Sequence, residues 1–142
     1  MEHSIELRVR YKETDQMGVV YYSNYLVWFE IARTEFFRAN GIVYKNIEDD
    51  QNIYLPVVES YCRYKAPLRY DDLVTVVVRL TNLSGTRMAF DYEVFGNGKL
   101  CAMGWTKHAF VNEKGKPIQI PSAILSVFKI QTNDLPTRSS TL

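Results

Sequence analysis

The fold of this chain is decided by residues 11–41, which read YKETDQMGVVYYSNYLVWFEIARTEFFRANG. The polar segment Lys12–Gly18 predicts a loop, and Tyr25–Asn40 predicts a helix. Ser23 or Asn24 can cap the start of that helix, and Gly41 is a natural stop signal. Polar side chains form only one stripe on the helix, so most of its circumference is apolar. Such a helix must be enclosed by other elements.

The rest of the chain supplies strands that could enclose it. Five stretches have the alternation or the β-branched composition of strands: Ile5–Tyr11, Ile53–Ala66, Leu73–Leu83, Arg87–Phe95 and Leu100–Val111. The Asn97-Gly98 pair is a strong hairpin signal, and the last four strands are expected to follow one another as antiparallel hairpins. We therefore predict an α+β fold, in which a five-stranded antiparallel sheet wraps one long central helix. Val43–Asn52 is expected to be a charged connection that can include a short helical turn, and Ser122–Lys129 a short closing helix.

The bulk composition narrows the class of protein. With 142 residues and 46% hydrophobic residues the chain predicts one domain, over 1–130, followed by a polar tail over 131–142. A net charge of +1 gives no bulk field for nucleic acid or an anionic membrane. No apolar run could span a bilayer and no signal segment is evident, so we expect a cytoplasmic protein. Cys62 and Cys101 read as free thiols of a reducing compartment. Unpaired sheet edges favour a homodimer.

The residues around the start of the helix resemble a family signature. The run Tyr11-x-x-Thr14-Asp15-x-x-Gly18-Val19-Val20-Tyr21, with Asn24-Tyr25 and Phe29-Glu30-x-Ala32-Arg33, is similar to the 4-hydroxybenzoyl-CoA thioesterase family. It looks closest to the bacterial acyl-CoA thioesterase branch associated with the Tol–Pal system, and the similarity extends over residues 5–112. The resemblance implies a hotdog fold and a dimer, often paired again into a tetramer, with active sites at the dimer interface. It also implies hydrolysis of acyl-CoA thioesters without a metal or redox cofactor.

The same resemblance assigns catalytic roles. Asp15 matches the catalytic carboxylate, which either attacks the thioester carbonyl or activates a water as general base. The main-chain N–H of Tyr22, at the helix start, matches the oxyanion donor. Many members of the branch carry histidine at that position, and a tyrosine hydroxyl can hydrogen-bond but does not replace a group that titrates near neutral pH. Glu30 and Glu59 are competing carboxylates, although we expect Glu30 to form a salt bridge with Arg33 or Arg38.

Other residues are candidates for binding the substrate. Tyr11 is expected to pack beneath Asp15 or to orient it, with packing favoured. Val20 and Tyr25 are expected to lie against the acyl group. Cations near the pocket mouth would hold the CoA phosphates, and the candidates are Arg63, Lys65, Arg69 and Arg87. His3 and His108 have no ligand cluster around them, so a surface or core role is expected for each and no metal site is predicted.

Two alternatives to an acyl-CoA thioesterase remain open. An acyl-carrier-protein thioesterase would use the same fold, and its acidic partner would favour a basic collar around the pocket. A non-catalytic hotdog module would bind acyl-CoA without turnover. A hotdog dehydratase fits less well, because the chain has no suitably placed histidine.

Overall fold

The computed structural model describes residues 1–128 of the chain. Its elements are β1 (Glu2–Arg8), a 3₁₀ turn (Tyr11–Glu13), α1 (Asn24–Ala39), α2 (Tyr44–Gln51), β2 (Val57–Tyr64), β3 (Leu73–Ser84), β4 (Arg87–Gly96), β5 (Lys99–Ala109) and α3 (Ser122–Phe128). Lys129, where the closing helix was expected to end, and the predicted tail over 131–142 lie outside the described residues, as does the predicted domain boundary at residue 130.

The strands form one antiparallel sheet in the order β1-β3-β4-β5-β2. This is the predicted α+β hotdog arrangement, with a five-stranded sheet and one long helix. The expected succession of hairpins is wrong at one step, because β2 pairs with β5 rather than with β3. The edge of β3 that β2 would need is taken by β1, whose Ile5 lies opposite Val76. β2 therefore becomes the free edge on the other side of the sheet.

Helix α1 packs its aromatic rings against the sheet and forms the centre of the core. Trp28, Phe29 and Phe36 are buried, and the ring of Phe29 stacks on that of Tyr92 at 4.2 Å between centroids. Full burial of one large apolar side chain contributes about 1.5–3 kcal/mol, so these rings anchor α1 to the sheet.

Enclosure of the helix is incomplete within one chain. Leu26, Val27 and Ile31 keep 38%, 45% and 41% of their surface exposed. The expectation of an almost fully wrapped helix thus holds for one face of α1 only.

Several element boundaries differ from the prediction. Tyr11 was placed in the first strand, but β1 ends at Arg8 and Tyr11 begins the 3₁₀ turn. Residues 43–52 contain helix α2 (Tyr44–Gln51), which is longer than the short helical turn allowed within the predicted charged connection. Ser23 stands at the N-cap of α1 without a capping side-chain hydrogen bond, so its predicted capping role is wrong. Gly41 takes a φ of +82°, as a helix stop requires. No helix of residues 1–128 is long and apolar enough to cross a membrane.

Candidate active site

Asp15 lies in a tight turn directly before α1. The main-chain carbonyl of Asp15 accepts from Gly18 N–H at 2.9 Å, and its own N–H donates to the carbonyl of Val19 at 2.9 Å. The φ of +80° at Gly18 closes this turn without strain. Oδ1 of Asp15 accepts from the N–H groups of Met17 at 2.8 Å and Val19 at 3.3 Å. Oδ2 accepts no hydrogen bond from residues 1–128, so one oxygen is held and the other is available.

The residues leading into α1 carry unused main-chain donors. Tyr21 N–H donates to the carbonyl of Glu13 at 2.8 Å, and Asn24 N–H donates to that of Tyr21 at 3.0 Å. Between them, the N–H groups of Tyr22 and Ser23 donate to no acceptor within residues 1–128. Free N–H groups at a helix start, together with the positive end of the helix dipole, favour a negatively charged ligand.

Asp15 and Tyr22 line the same cavity, of about 410 Å³. The predicted residues Val20, Tyr25 and Lys65 line it too, together with Tyr64, which sequence reasoning did not single out. The cavity lies between the start of α1 and the end of β2.

Aromatic rings form one wall of this cavity. Tyr64 meets the ring of Tyr25 edge-on at 5.1 Å and that of Tyr22 at 6.4 Å, and its hydroxyl donates to the carbonyl of Tyr22 at 3.3 Å. Burial raises the pKa of Tyr25 to about 12. Burial, and then its neighbour Cys62, raise the pKa of Tyr64 as well. Both phenols therefore stay neutral at physiological pH, and the wall offers hydrogen bonds and apolar surface without charge.

A second cavity, of about 660 Å³, opens on the other side of Asp15 and includes Tyr11 and Tyr70. Tyr11 is 78% exposed, and its ring meets that of Tyr70 edge-on at 5.6 Å. The favoured expectation that Tyr11 packs beneath Asp15 is therefore wrong within one chain, because the ring is exposed to solvent beside the loop.

The predicted cations are not all brought to the site. Lys65 lines the cavity, and the guanidinium of Arg69 reaches the Asp15 turn, 3.5 Å from where a Cβ on Gly18 would lie. Arg63 is exposed and precedes Tyr64 in β2, so its side chain points to the opposite face of the sheet from the Tyr64 ring. Arg87 begins β4 and pairs with Ala109 at the end of β5, whereas Tyr64 at the cavity pairs with Ala102 of the same strand. Arg87 therefore lies at the end of the sheet away from the cavity.

The competing carboxylates lie elsewhere. Glu30 lines a separate cavity of about 430 Å³ between α1, α2 and the start of β2. Its expected salt bridge is wrong, because Arg38 pairs with Glu35 and Arg33 donates to the hydroxyl of Tyr92 at 3.1 Å. Glu59 lies 3.9 Å from the ammonium group of Lys107 on β5.

The histidines were expected to have surface or core roles. His108 is buried at 1% exposure, which is a core role. Within residues 1–128, no three His, Cys, Asp or Glu side chains are grouped so that they could hold a metal ion.

Known proteins resemble the chain over most of its length. The family described as the thioesterase-like superfamily matches residues 9–128. A candidate esterase of Aquifex aeolicus is 40% identical over 122 residues, which are 86% of this chain and 94% of that protein. A candidate acyl-CoA thioesterase of Bacillus subtilis, YneP, is 36% identical over 120 residues, covering 83% and 86% of the two chains. The crystal structure of a DHNA-CoA thioesterase from Staphylococcus aureus superposes with a TM-score of 0.87 at 32% identity, covering 94% of this chain and 93% of that one.

Proposed function

Because the chain belongs to the thioesterase-like superfamily, we propose that it is an acyl-CoA thioesterase whose catalytic carboxylate is Asp15. One observation carries the proposal: Asp15 and Tyr22 line the same pocket. Within residues 1–128, one carboxylate oxygen of Asp15 accepts no hydrogen bond and the N–H of Tyr22 donates none. Thioester hydrolysis requires a nucleophile or base at the carbonyl carbon and a donor for the developing oxyanion. Placement in the 4-hydroxybenzoyl-CoA branch and its Tol–Pal-associated part stays a prediction from the Tyr11–Arg33 motif, as does a cytoplasmic location.

The reaction can follow either of two routes. In the first, an oxygen of Asp15 attacks the acyl carbon, CoA leaves as a thiolate that takes up a proton, and water hydrolyses the resulting mixed anhydride. In the second, Asp15 takes a proton from a water that attacks the acyl carbon directly, the carbon–sulfur bond then breaks, and CoA leaves as a thiolate that takes up a proton. The N–H of Tyr22 stabilises the oxyanion in both. Rapid quenching followed by mass spectrometry separates the routes, since only the first adds the acyl group transiently to Asp15.

The acyl group would lie in the cavity against the wall formed by Val20, Tyr25 and Tyr64. Tyr11 would lie on the other side of Asp15, in the second cavity. Of the four predicted cations, Lys65 lines the cavity and Arg69 reaches the Asp15 turn, so these two would meet the CoA phosphates. Arg63 and Arg87 would take that role only for a substrate that spans to another subunit. The acyl-carrier-protein alternative stays open, because the basic collar that would favour it is not assembled within one chain but could be completed across a subunit interface; turnover that falls with rising salt would support it.

A homodimer through the free edge of β2 would explain the exposed apolar surface beside the site. Val57, Val58 and Tyr64 on β2 are 46%, 44% and 45% exposed, next to the uncovered face of α1. Antiparallel pairing of two β2 strands would bring the Tyr64 end of one copy beside the Val57 end of the other. The cavity at Asp15 would then adjoin the partner's cavity at Glu30, and a tetramer would form by pairing two such dimers.

Light scattering coupled to gel filtration tests this assembly. Ile31→Glu, which places a charge on the uncovered face of α1, is expected to convert the dimer to a monomer. Glu6→Lys on β1, at the opposite edge of the sheet, is the matched control and should leave the dimer intact. A wild-type protein that elutes as a monomer at micromolar concentration would exclude the dimer.

Thiol release from a panel of short, medium, long and aromatic acyl-CoAs tests the activity. Asp15→Asn keeps the shape of the side chain, and we expect kcat to fall by about two orders of magnitude or more while CoA binding is retained. Glu59→Gln and Glu30→Gln test the two competing carboxylates, and each should lower kcat far less than Asp15→Asn does. Full activity in Asp15→Asn would remove Asp15 from the mechanism. Binding of acyl-CoA without turnover in the wild type would favour the non-catalytic module.

A further inference from the structure

Glu13 is a buried carboxylate two residues from Asp15 that the proposed reaction does not use. It is only 3% exposed, and a buried charge must be fully hydrogen-bonded to be tolerated. Oε1 accepts from the N–H of Arg10 at 2.7 Å. Oε2 accepts from the indole N–H of Trp28 at 3.0 Å and from Arg10 Nη2 at 3.4 Å. The side chain of Glu13 thus connects the loop before Asp15 to the second turn of α1.

The main chain of Glu13 makes a second connection to the same helix. Its carbonyl oxygen accepts from Tyr21 N–H at 2.8 Å and from Asn24 Nδ2 at 2.9 Å. Tyr21 and Asn24 flank the two free N–H groups at the helix start. Glu13 therefore holds the loop that carries Asp15 to Asn24 and Trp28 of α1 and to Tyr21 just before the helix, so that its contacts lie on both sides of the oxyanion donor.

We propose that Glu13 is the positioning residue of this site, and that its carboxylate, through Trp28, sets the distance between the Asp15 carboxylate and the Tyr22 N–H. The inference rests on the proposed function. Glu13 acts through its neighbours and is not itself catalytic, because it is buried and does not line the cavity. Catalysis is sensitive to displacements of about 1 Å between reacting groups, so loosening this connection should lower turnover more than it lowers substrate binding.

The state of the carboxylate supports this role. Burial raises the pKa of Glu13, but the hydrogen bonds from Arg10 N–H and Trp28 and the charge of Arg10 outweigh it, so the pKa lies below its ordinary value. Glu13 is therefore ionised at neutral pH and can accept all of its bonds at once.

Two variants break the connection from its two ends. Glu13→Gln keeps the size of the side chain but turns one acceptor oxygen into a donor group, and Trp28→Phe keeps a ring while removing the indole N–H. We expect each to lower kcat about tenfold or more with KM within about twofold of wild type. The double variant should be no slower than the slower single variant, because both remove the same interaction.

Thr106→Val is the control for a purely structural effect. Its hydroxyl is as buried as Glu13 and bonds Tyr92 at 2.6 Å and His108 at 2.8 Å, on the sheet and away from the loop. The variant should lower Tm by an amount similar to Glu13→Gln and leave kcat unchanged. If Thr106→Val loses as much kcat as Glu13→Gln, or if the two single losses multiply in the double variant, the positioning role is refuted.

Amide hydrogen exchange gives a readout that does not depend on activity. Met17 and Val19 N–H bind the Asp15 carboxylate, and their exchange should accelerate in Glu13→Gln and Trp28→Phe but not in Thr106→Val. Unchanged exchange at both amides would overturn the proposal even if wild-type turnover is found. Absence of wild-type turnover on every acyl-CoA would instead refute the proposed function while the exchange result still decides the role of Glu13. If Glu13→Gln does not fold, Trp28→Phe alone carries the test.

Discussion

His108 lies in the core at the end of a chain of buried polar groups, and its protonation should control stability at mildly acidic pH. Its Nδ1 lies 3.2 Å from the carbonyl of Leu55 and its Nε2 lies 2.8 Å from the hydroxyl of Thr106. That hydroxyl lies 2.6 Å from the hydroxyl of Tyr92, which accepts from Arg33 at 3.1 Å. The Arg33 guanidinium can only donate, so the Tyr92 hydroxyl accepts from it and donates to Thr106. Thr106 then donates to Nε2 of a neutral His108, whose Nδ1–H donates to the carbonyl of Leu55. With this order every hydrogen bond in the series has one donor and one acceptor.

Protonation of His108 would break that order. Nε2 would become a donor, Thr106 would have to donate to Tyr92 instead, and the Tyr92 hydroxyl proton would be left without an acceptor. An unsatisfied buried donor is costly. In agreement, burial first and the charge of Arg33 second lower the pKa of His108 from 6.5 to about 4.

The size of the effect on stability follows from linkage between proton binding and unfolding. The folded-state pKa lies below the unfolded one, so the unfolded chain takes up the proton first as the pH falls. This contribution of His108 to stability is complete above about pH 7 and decreases steadily as the pH falls from about 6.5 towards 4. With a pKa of 6.5 unfolded and about 4 folded, the free energy of unfolding should be about 2 kcal/mol lower at pH 5 than at pH 7.5.

Urea unfolding of the wild type and of His108→Gln at both pH values measures this difference. Glutamine can donate to Leu55 and accept from Thr106 but does not titrate, so only the wild type should lose the additional ~2 kcal/mol at pH 5. Contributions from other groups cancel in the comparison, whatever the stability of the variant at pH 7.5. Equal losses in the two proteins would refute the argument that His108 is buried in its neutral form.

Two further predictions concern close packing and the thiols. A Cβ on Gly104 would lie 2.1 Å from the carbonyl oxygen of Tyr61, so Gly104→Ala should separate β2 from β5 and cost about 3 kcal/mol or more in thermal unfolding. Gly98→Ala has open space and should cost only about 1–2 kcal/mol for its positive φ; equal losses would contradict the steric argument. Burial raises the pKa of Cys62 to about 11 and also raises that of Cys101, so iodoacetamide at pH 7.5 should label both thiols quickly only after unfolding. Rapid labelling of a thiol in the folded protein would contradict this.

Local patterns predicted the elements of the fold better than their arrangement. β4 was expected at 87–95 and is found at Arg87–Gly96, because its alternation of buried and exposed residues reflects the sheet directly. The position of β2 beside β5 depends on which strands compete for the edge of β3, and no local pattern contains that information. The length of helix α2 was underestimated, because its start at Val43 carries no capping side chain and its sequence is mostly polar.

The sequence could predict those residues of the candidate site that lie close together along the chain. Asp15, Val20, Tyr22 and Tyr25 belong to one motif, and they do line one cavity. Charge alone could not say which cations join them. Arg63 does not reach the cavity because its side chain lies on the opposite face of β2 from Tyr64. Arg87 does not reach it because it lies at the distant end of β4. The role of Glu13 could not be read either, because its partner Trp28 lies 15 residues away and an acid ahead of a helix is commonplace.

The chemistry proposed for this site depends mainly on the main chain. Two amide groups hold one oxygen of Asp15, and the proposed oxyanion donor is the amide of residue 22, at the start of α1. A change of side chain at residue 22 can therefore alter the rim of the cavity without removing the donor. The Tyr22 ring is 59% exposed and meets Tyr64 at that rim, where it can select among acyl groups. A tyrosine at residue 22 is thus compatible with the proposed activity, since in the proposed mechanism the groups that bond to the reacting atoms are supplied by Asp15 and by the backbone.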